Sequence, residues 1–174
     1  MTATTFRIHP TPVGDVLLLA SPARLIGLDV LDAPLGVALE GWTRLLGAVP
    51  EPNDDDGAAQ TAAQQLDEYF DGSRTAFTVP IDWSPVRGFT RAALQAVGEI
   101  PYAQTGSYGD VAHLAGSPRA HRAVGSACAH APISIIVPVH RVVRADGSIG
   151  EYGGRPDLKR ALLDHEAAHR PAGV

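Results

Sequence analysis

Cysteine is nearly absent from this chain: Cys128 stands alone among 174 residues. One thiol excludes an internal disulfide and any zinc site built from several thiolates. A metal would need His with Asp or Glu, and the seven His show no ligand spacing, so neither metal nor cofactor is expected. Long apolar runs are missing too. None approaches the roughly eighteen residues that cross a bilayer, and the opening MTATTFRIH lacks a signal-peptide core. The expectation is a cytoplasmic, monomeric protein with no membrane partner.

Positive charge is scarce overall, with a net charge of -5, but its shortage is local. Residues 1–83 hold four Arg against twelve acidic residues, a balance of -8. Residues 84–174 hold ten Lys and Arg against seven acidic residues, a balance of +3, and six of the seven His. A polyanionic partner would choose the second half. Hydrophobic residues make up 45% of the chain, ample for a globular core.

The two halves also differ in pattern. In the first, Phe6 to His9, Val16 to Ala20 and Leu25 to Leu31 read as short strands of an antiparallel meander, joined by Pro- and Gly-containing turns. Leu35 to Leu46 has helical spacing, and Glu51 to Gly57, with Asp54, Asp55 and Asp56, reads as a polar loop. Ala58 to Phe70 is expected to be a helix with Leu66, Tyr69 and Phe70 inward, and Ala76 to Ile81 alternates like a strand. These elements make an α+β domain over 1–83.

From Gly88 the texture turns helical. Phe89 to Val97 is one helix, and Ser107 is a suitable N-cap for Tyr108 to Ala115. Ser117-Pro118 reads as the start of a helix running to about Ala129. Two short helices about a Gly-containing turn fit a helix-turn-helix. The second is nearly bare, with Ala120, Ala123, Gly125, Ser126, Ala127 and Ala129, while Arg119, His121 and Arg122 gather at its start. Small residues let a backbone approach another surface closely, either a phosphate-rich one or a neighbouring helix. Leu158 to Ala168 closes the chain as a helix, with Leu162, Leu163 and Glu166 returning toward one side.

Between them runs Ile135-Ile136-Val137-Pro138-Val139-His140-Arg141-Val142-Val143. Apolar segments on both sides of a proline anchor a corner that should present His140 and Arg141 at its lip.

This run resembles the active-site signature of the O6-alkylguanine-DNA alkyltransferases, in which Pro-Cys-His-Arg-Val is the defining sequence. The resemblance extends in order through Ile100-Pro101-Tyr102, Ser107-Tyr108-Gly109, Arg122-Ala123-Val124-Gly125, Pro132-Ile133, Gly147 to Tyr152 and Leu162-Leu163-Asp164-His165-Glu166. It covers about residues 88 to 166, and more loosely Thr11 to Gly14 and Glu68 to Gly72. It implies an α+β domain followed, over 84–174, by a mainly α, winged helix-turn-helix DNA-binding domain, with the wing at 141–153.

By that resemblance, Arg122 is the finger that fills the space of an extruded nucleotide, and Tyr108 helps to rotate the base out. Ala123, Gly125, Ser126 and Ala127 belong to the helix that enters the minor groove. Pro138, Val139, Tyr152 and Gly153, with Tyr108, form the alkylguanine pocket. His140 and Glu166 match a relay that deprotonates the acceptor cysteine, while Arg141 is assigned to holding the turn. Double-stranded DNA containing O6-alkylguanine is the implied partner, with other DNA-repair proteins downstream.

The chain departs from the family at the decisive position, because Val139 replaces the acceptor cysteine. An isopropyl group has neither lone pair nor acidic proton, so it cannot attack an alkyl carbon. Ala131 replaces an asparagine that usually braces the turn. The expected function is therefore recognition of O6-alkylguanine by nucleotide flipping without transfer, as in the alkyltransferase-like proteins. The alternatives are an inactivated variant of a true alkyltransferase, transfer to Cys128, which is otherwise expected in the core, and a regulatory module without lesion recognition.

Overall fold

The computed structural model describes residues 4–53 and 57–172 and divides into two compact units, residues 1–85 and 86–174. The Asp54 to Asp56 part of the expected polar loop lies outside the described residues. Among the described residues, no helix is long and apolar enough to cross a membrane.

In the first unit, β1 (Thr5–Thr11), β2 (Gly14–Ala20) and β3 (Leu25–Val30) form the antiparallel meander, followed by α1 (Leu35–Leu46), β4 (Glu51–Pro52) and α2 (Gly57–Phe70). The sheet order is β3-β2-β1-β4. Leu17, Leu19 and Ile26 pack with Trp42 of α1, joined by Leu35, Leu39 and Leu46 on the same helical stripe. Each such side chain contributes about 1.5–3 kcal/mol on full burial. Strand alternation sends Val16, Leu18 and Ala20 to the opposite face, and α2 packs on β2, so all five residues from Val16 to Ala20 are fully buried. Gly27 cannot carry a side chain, because a Cβ there would lie 2.3 Å from the Trp42 ring.

Two expectations require correction here. The segment from Glu51 is not wholly a loop, since β4 pairs parallel with β1 through Thr5–Glu51 and Phe6–Pro52. Residues 76–81 form no strand beyond a single bridge between Leu25 and Ile81. The Gln65 side chain accounts for this: its Oε1 accepts from the backbone N–H of Thr78 and of Val79, which a sheet partner would otherwise bind. Phe70 is only half-buried, whereas Leu66 and Tyr69 are fully buried.

The second unit comprises α3 (Gly88–Gly98), β5 (Gly106–Ser107), α4 (Tyr108–Leu114), α5 (His121–Ala129), a 3-10 turn (Val139–Arg141), β6 (Val142–Val143) and α6 (Pro156–Ala168). Ser107 caps α4 in a reciprocal box, its hydroxyl accepting from Asp110 N and the Asp110 carboxylate accepting from Ser107 N. The helix after Gly116 begins at His121 rather than Ser117, because Ala120 N donates to Ser117 O and closes a turn first. The wing segment contains β6, which pairs parallel with β5, and a turn in which Arg144 N donates to Ser148 O.

Candidate functional site

Every residue from Ile135 to Val143 is buried. The corner is held by its own backbone: Val139 N donates to Val137 O at 2.8 Å and Arg141 N to Pro138 O at 2.9 Å. Ile135 enters it at φ +67°, a left-handed conformation that a β-branched residue adopts only under surrounding constraint. β6 then pairs with β5, matching Ser107 to Val143. Since Ser107 also caps α4, Tyr108 is fixed beside the corner.

The expected lip does not exist. His140 is fully buried and Arg141 is 6% exposed, because both side chains turn inward to Glu166 on α6. His140 Nε2 lies 2.6 Å from Glu166 Oε1, and Arg141 donates from Nε and Nη2 to the same carboxylate at 3.0–3.2 Å. Arg141 Nη1 donates to Ile100 O, and Ala103 N also donates to the Glu166 carboxylate at 3.0 Å. Burial alone would raise the Glu166 pKa, but the hydrogen bonds from His140 and Arg141 prevail and bring it down to about 2. Burial lowers the pKa of His140 despite the hydrogen bond to Glu166. A carboxylate facing a neutral imidazole and a guanidinium follows, with Nε2–H donating and Nδ1 left as a buried acceptor without a hydrogen-bond partner. The assignment of Arg141 to holding the turn fits this geometry.

On the other side of the corner is a cavity of about 450 Å³. Tyr108, Gly125, Ser126, Val139 and Tyr152, five of the residues expected to act together, line it. Val139 is 2% exposed. Burial raises the pKa values of both tyrosine hydroxyls, keeping them as protonated groups at neutral pH. Arg122 and Ala123 are exposed on α5 outside this lining, Gly153 is exposed, and Pro138 is buried behind the corner. Ala127 is not on the open face of α5 at all: helical periodicity turns it inward with Val124, and it is 3% exposed.

Cys128 was expected in the core and instead lines the cavity, with Ala129 and His121 from the same helix. Its surroundings are still desolvating, and burial pushes the thiol up to about 11. Arg144 and Glu151 complete the lining, and both are exposed. None of these could be placed by motif. Lys159 was missed entirely, although it is the only lysine among fourteen basic residues. It is fully buried, its Nζ donates to Val142 O and Glu151 O at 2.5 and 3.4 Å, and it lies 5.8 Å from the centroid of the Tyr108 ring. Burial brings its pKa down to about 8. One ammonium thus ties the strand after the corner to the segment before Tyr152. Gly150, at φ +68°, lets that segment pass Tyr108: a Cβ there would sit 3.2 Å from the hydroxyl.

Among the described residues, no group of three His, Cys, Asp or Glu side chains is gathered as a metal site would need.

Comparison with known proteins gives the context of this geometry. Residues 5–83 match the ribonuclease-like domain, and residues 88–168 the DNA binding domain, of 6-O-methylguanine DNA methyltransferase. The methylated-DNA--protein-cysteine methyltransferase of Mycobacterium tuberculosis is 39% identical over 171 residues, 97% of this chain and 96% of its own. The inducible enzyme of Bacillus subtilis is 41% identical over 113 residues, covering 65% of this chain and 63% of its own. The crystal structure of the M. tuberculosis O6-methylguanine methyltransferase superposes with a TM-score of 0.80 at 37% identity, covering 97% and 96% of the two chains. The same enzyme solved in complex with DNA gives 0.79 at 38% identity over 97% and 96%. With both domains matched in order over nearly the whole chain, this protein belongs to the O6-alkylguanine-DNA alkyltransferase family.

Proposed function

We propose that this chain binds duplex DNA through α5, turns an O6-alkylated guanine into the cavity beside Tyr108 and Tyr152, and holds it without taking the alkyl group. The observation that carries this reading is Val139: it lines the cavity at the position where the family signature has its acceptor cysteine. The M. tuberculosis relative crystallised with DNA supports a duplex partner. Arg122, exposed near the start of α5, fills the gap left by the extruded nucleotide, and the small side chains of Ala123, Gly125 and Ser126 let the helix backbone lie close to the groove. Tyr108 and Tyr152, protonated at neutral pH, wall the pocket, while Gly153 and Pro138 of the expected pocket set stay outside its lining. His140 and Glu166 remain as a relay with no thiol to serve, and the held lesion is left for other repair proteins.

Binding to two otherwise identical duplexes, one carrying O6-methylguanine, tests the reading at fixed salt. Tighter binding to the lesion duplex is expected, weakened by Arg122→Ala by about 1–3 kcal/mol. Equal affinities, with Arg122→Ala lowering both alike, would leave only a non-specific DNA binder.

The position of Cys128 in the same cavity favours one second reading, in which it accepts the alkyl group. Its thiol, held near 11, opposes transfer at neutral pH, because attack needs the thiolate. Intact mass after incubation with O6-methylguanine DNA separates the two: an unchanged mass is expected, and a gain of one methyl group would establish Cys128 as the acceptor.

A further inference from the structure

No ligand spacing was expected among the seven His, yet His165 and His169 stand four residues apart at the C-terminal end of α6. Four residues advance a helix by slightly more than one turn, so both imidazoles rise from one face. Their ring centroids lie 4.4 Å apart with the planes tilted by 37°. Two imidazoles with ring nitrogens about 2.1 Å from one ion hold their centroids about 5 Å apart, so a small side-chain rotation separates this pair from a chelate. His169 is already oriented for it. Its Nδ1 lies 2.8 Å from His165 O, which only accepts, so in the neutral ring Nδ1 carries the proton and Nε2 keeps the lone pair. A metal-bound His adopts the same arrangement when a backbone carbonyl fixes its other nitrogen. His169 is exposed and His165 half-buried. The last carbonyls of α6 favour a cation at this end, and the adjacent cation Arg170 donates to Ala103 O at 2.6 Å.

We propose that His165 and His169 chelate a divalent d-block cation such as Ni2+ or Zn2+, with water in its remaining positions, and that the ion fastens the last turn of α6 next to Glu166. Imidazole suits these ions, whereas Mg2+ and Ca2+ take oxygen ligands. Among the described residues no third His, Cys, Asp or Glu is gathered with the pair, so the ion exchanges with solvent and is not locked in a closed structural site. The run His165-Glu166-Ala167-Ala168-His169 has the His-Glu-x-x-His pattern of zinc hydrolases, in which the Glu activates a metal-bound water. Here Glu166 is fully buried and its oxygens accept from His140, Arg141 and Ala103, so the site binds without a base for hydrolysis. The two rings share one face only while the turn between them is helical. Ion binding and the fold of that turn therefore reinforce each other, independently of any DNA lesion.

Isothermal titration calorimetry of the untagged chain at pH 7 with NiCl2, ZnCl2 or MgCl2 tests it. A saturable site for Ni2+ and Zn2+ is expected, with no uptake of Mg2+. His169→Gln should weaken that site about tenfold or more, because the remaining imidazole loses its linked partner. His130 bonds Ser126 O in the same way at the end of α5 but has no His four residues away, so His130→Gln should leave the affinity unchanged. Absence of a saturable Ni2+ site, a site of undiminished affinity in His169→Gln, or Mg2+ competing for it would each overturn the proposal. A second measurement needs no variant. Substoichiometric Cu2+, a paramagnetic ion of the same class, should broaden the backbone amide signals of residues 162–172 first in a 1H-15N spectrum of the unsubstituted chain. Broadening that begins at any other His would overturn the assignment.

Discussion

His140 Nε2 and Glu166 Oε1 lie 2.6 Å apart, 26 residues distant in sequence, with both side chains withdrawn from solvent. Arg141 shares the same carboxylate, so three charged or ionisable groups form one closed unit beneath the corner. Beneath Val139 this unit fixes the turn.

Removing Glu166 strands Arg141 as a buried cation. Glu166→Ala should therefore destabilise the second unit by about 3–5 kcal/mol, measured by urea unfolding at pH 7. The wild-type pH profile follows from the same group. Glu166 titrates near 2 when folded against 4.5 for an ordinary Glu, so its stabilisation is present above about pH 4.5 and lost as pH falls toward 2. His140 acts in the same direction. Its folded pKa is depressed below 6.5, so the unfolded chain takes up the proton first and stability declines as pH drops below that value. Unfolding free energy that held level from pH 7 down to 3 would contradict both assignments.

Lys159→Met keeps the length of the side chain and removes its donors. The carbonyls of Val142 and Glu151 then lose their shared partner, and a loss of about 1–3 kcal/mol in stability is expected. Because Val142 follows Val139 by three residues and Glu151 itself lines the cavity, lesion binding should weaken more than the Tm shift alone explains. An arginine in its place should restore neither, since the guanidinium is larger and cannot occupy the same buried point.

Cys128 gives a direct chemical readout because it is the only thiol. With its pKa near 11, it should react with a disulfide reagent at pH 8 on the order of a hundredfold more slowly than a free cysteine of pKa about 8.5. In denaturant the difference should vanish. A fast reaction in the folded protein would reopen the second reading of the site.

Val139→Cys places sulfur in the lining beside an intact His140–Glu166 pair. The variant should gain one alkyl group on incubation with O6-methylguanine DNA, read as an intact-mass increase, while the Val139 chain gains none. A variant that folds and binds lesion DNA but stays unmodified would show that Ala131, or another change around the corner, has also removed a needed contact.

Much of this was legible without coordinates, and the reasons are local. The meander and α1 follow from two-residue and helical periodicities, and the Ser107 cap from a side chain that bonds three residues ahead. The family follows from an ordered set of motifs, and the absence of a thiol at position 139 is a fact of the sequence. Only the tertiary structure could decide what those residues face. His140 and Arg141 looked like an exposed lip because a run of nine residues does not reveal that a carboxylate 25 residues later will draw both inward. Residues 76–81 looked like a strand because alternation does not show that Gln65 will take their backbone donors. Cys128 and Lys159 gave no motif signal, since their roles come from distant chain segments meeting around one cavity. Sequence determined that position 139 carries an isopropyl group and no thiol; long-range packing decided that this group lines a cavity while His140 and Arg141 turn inward to Glu166.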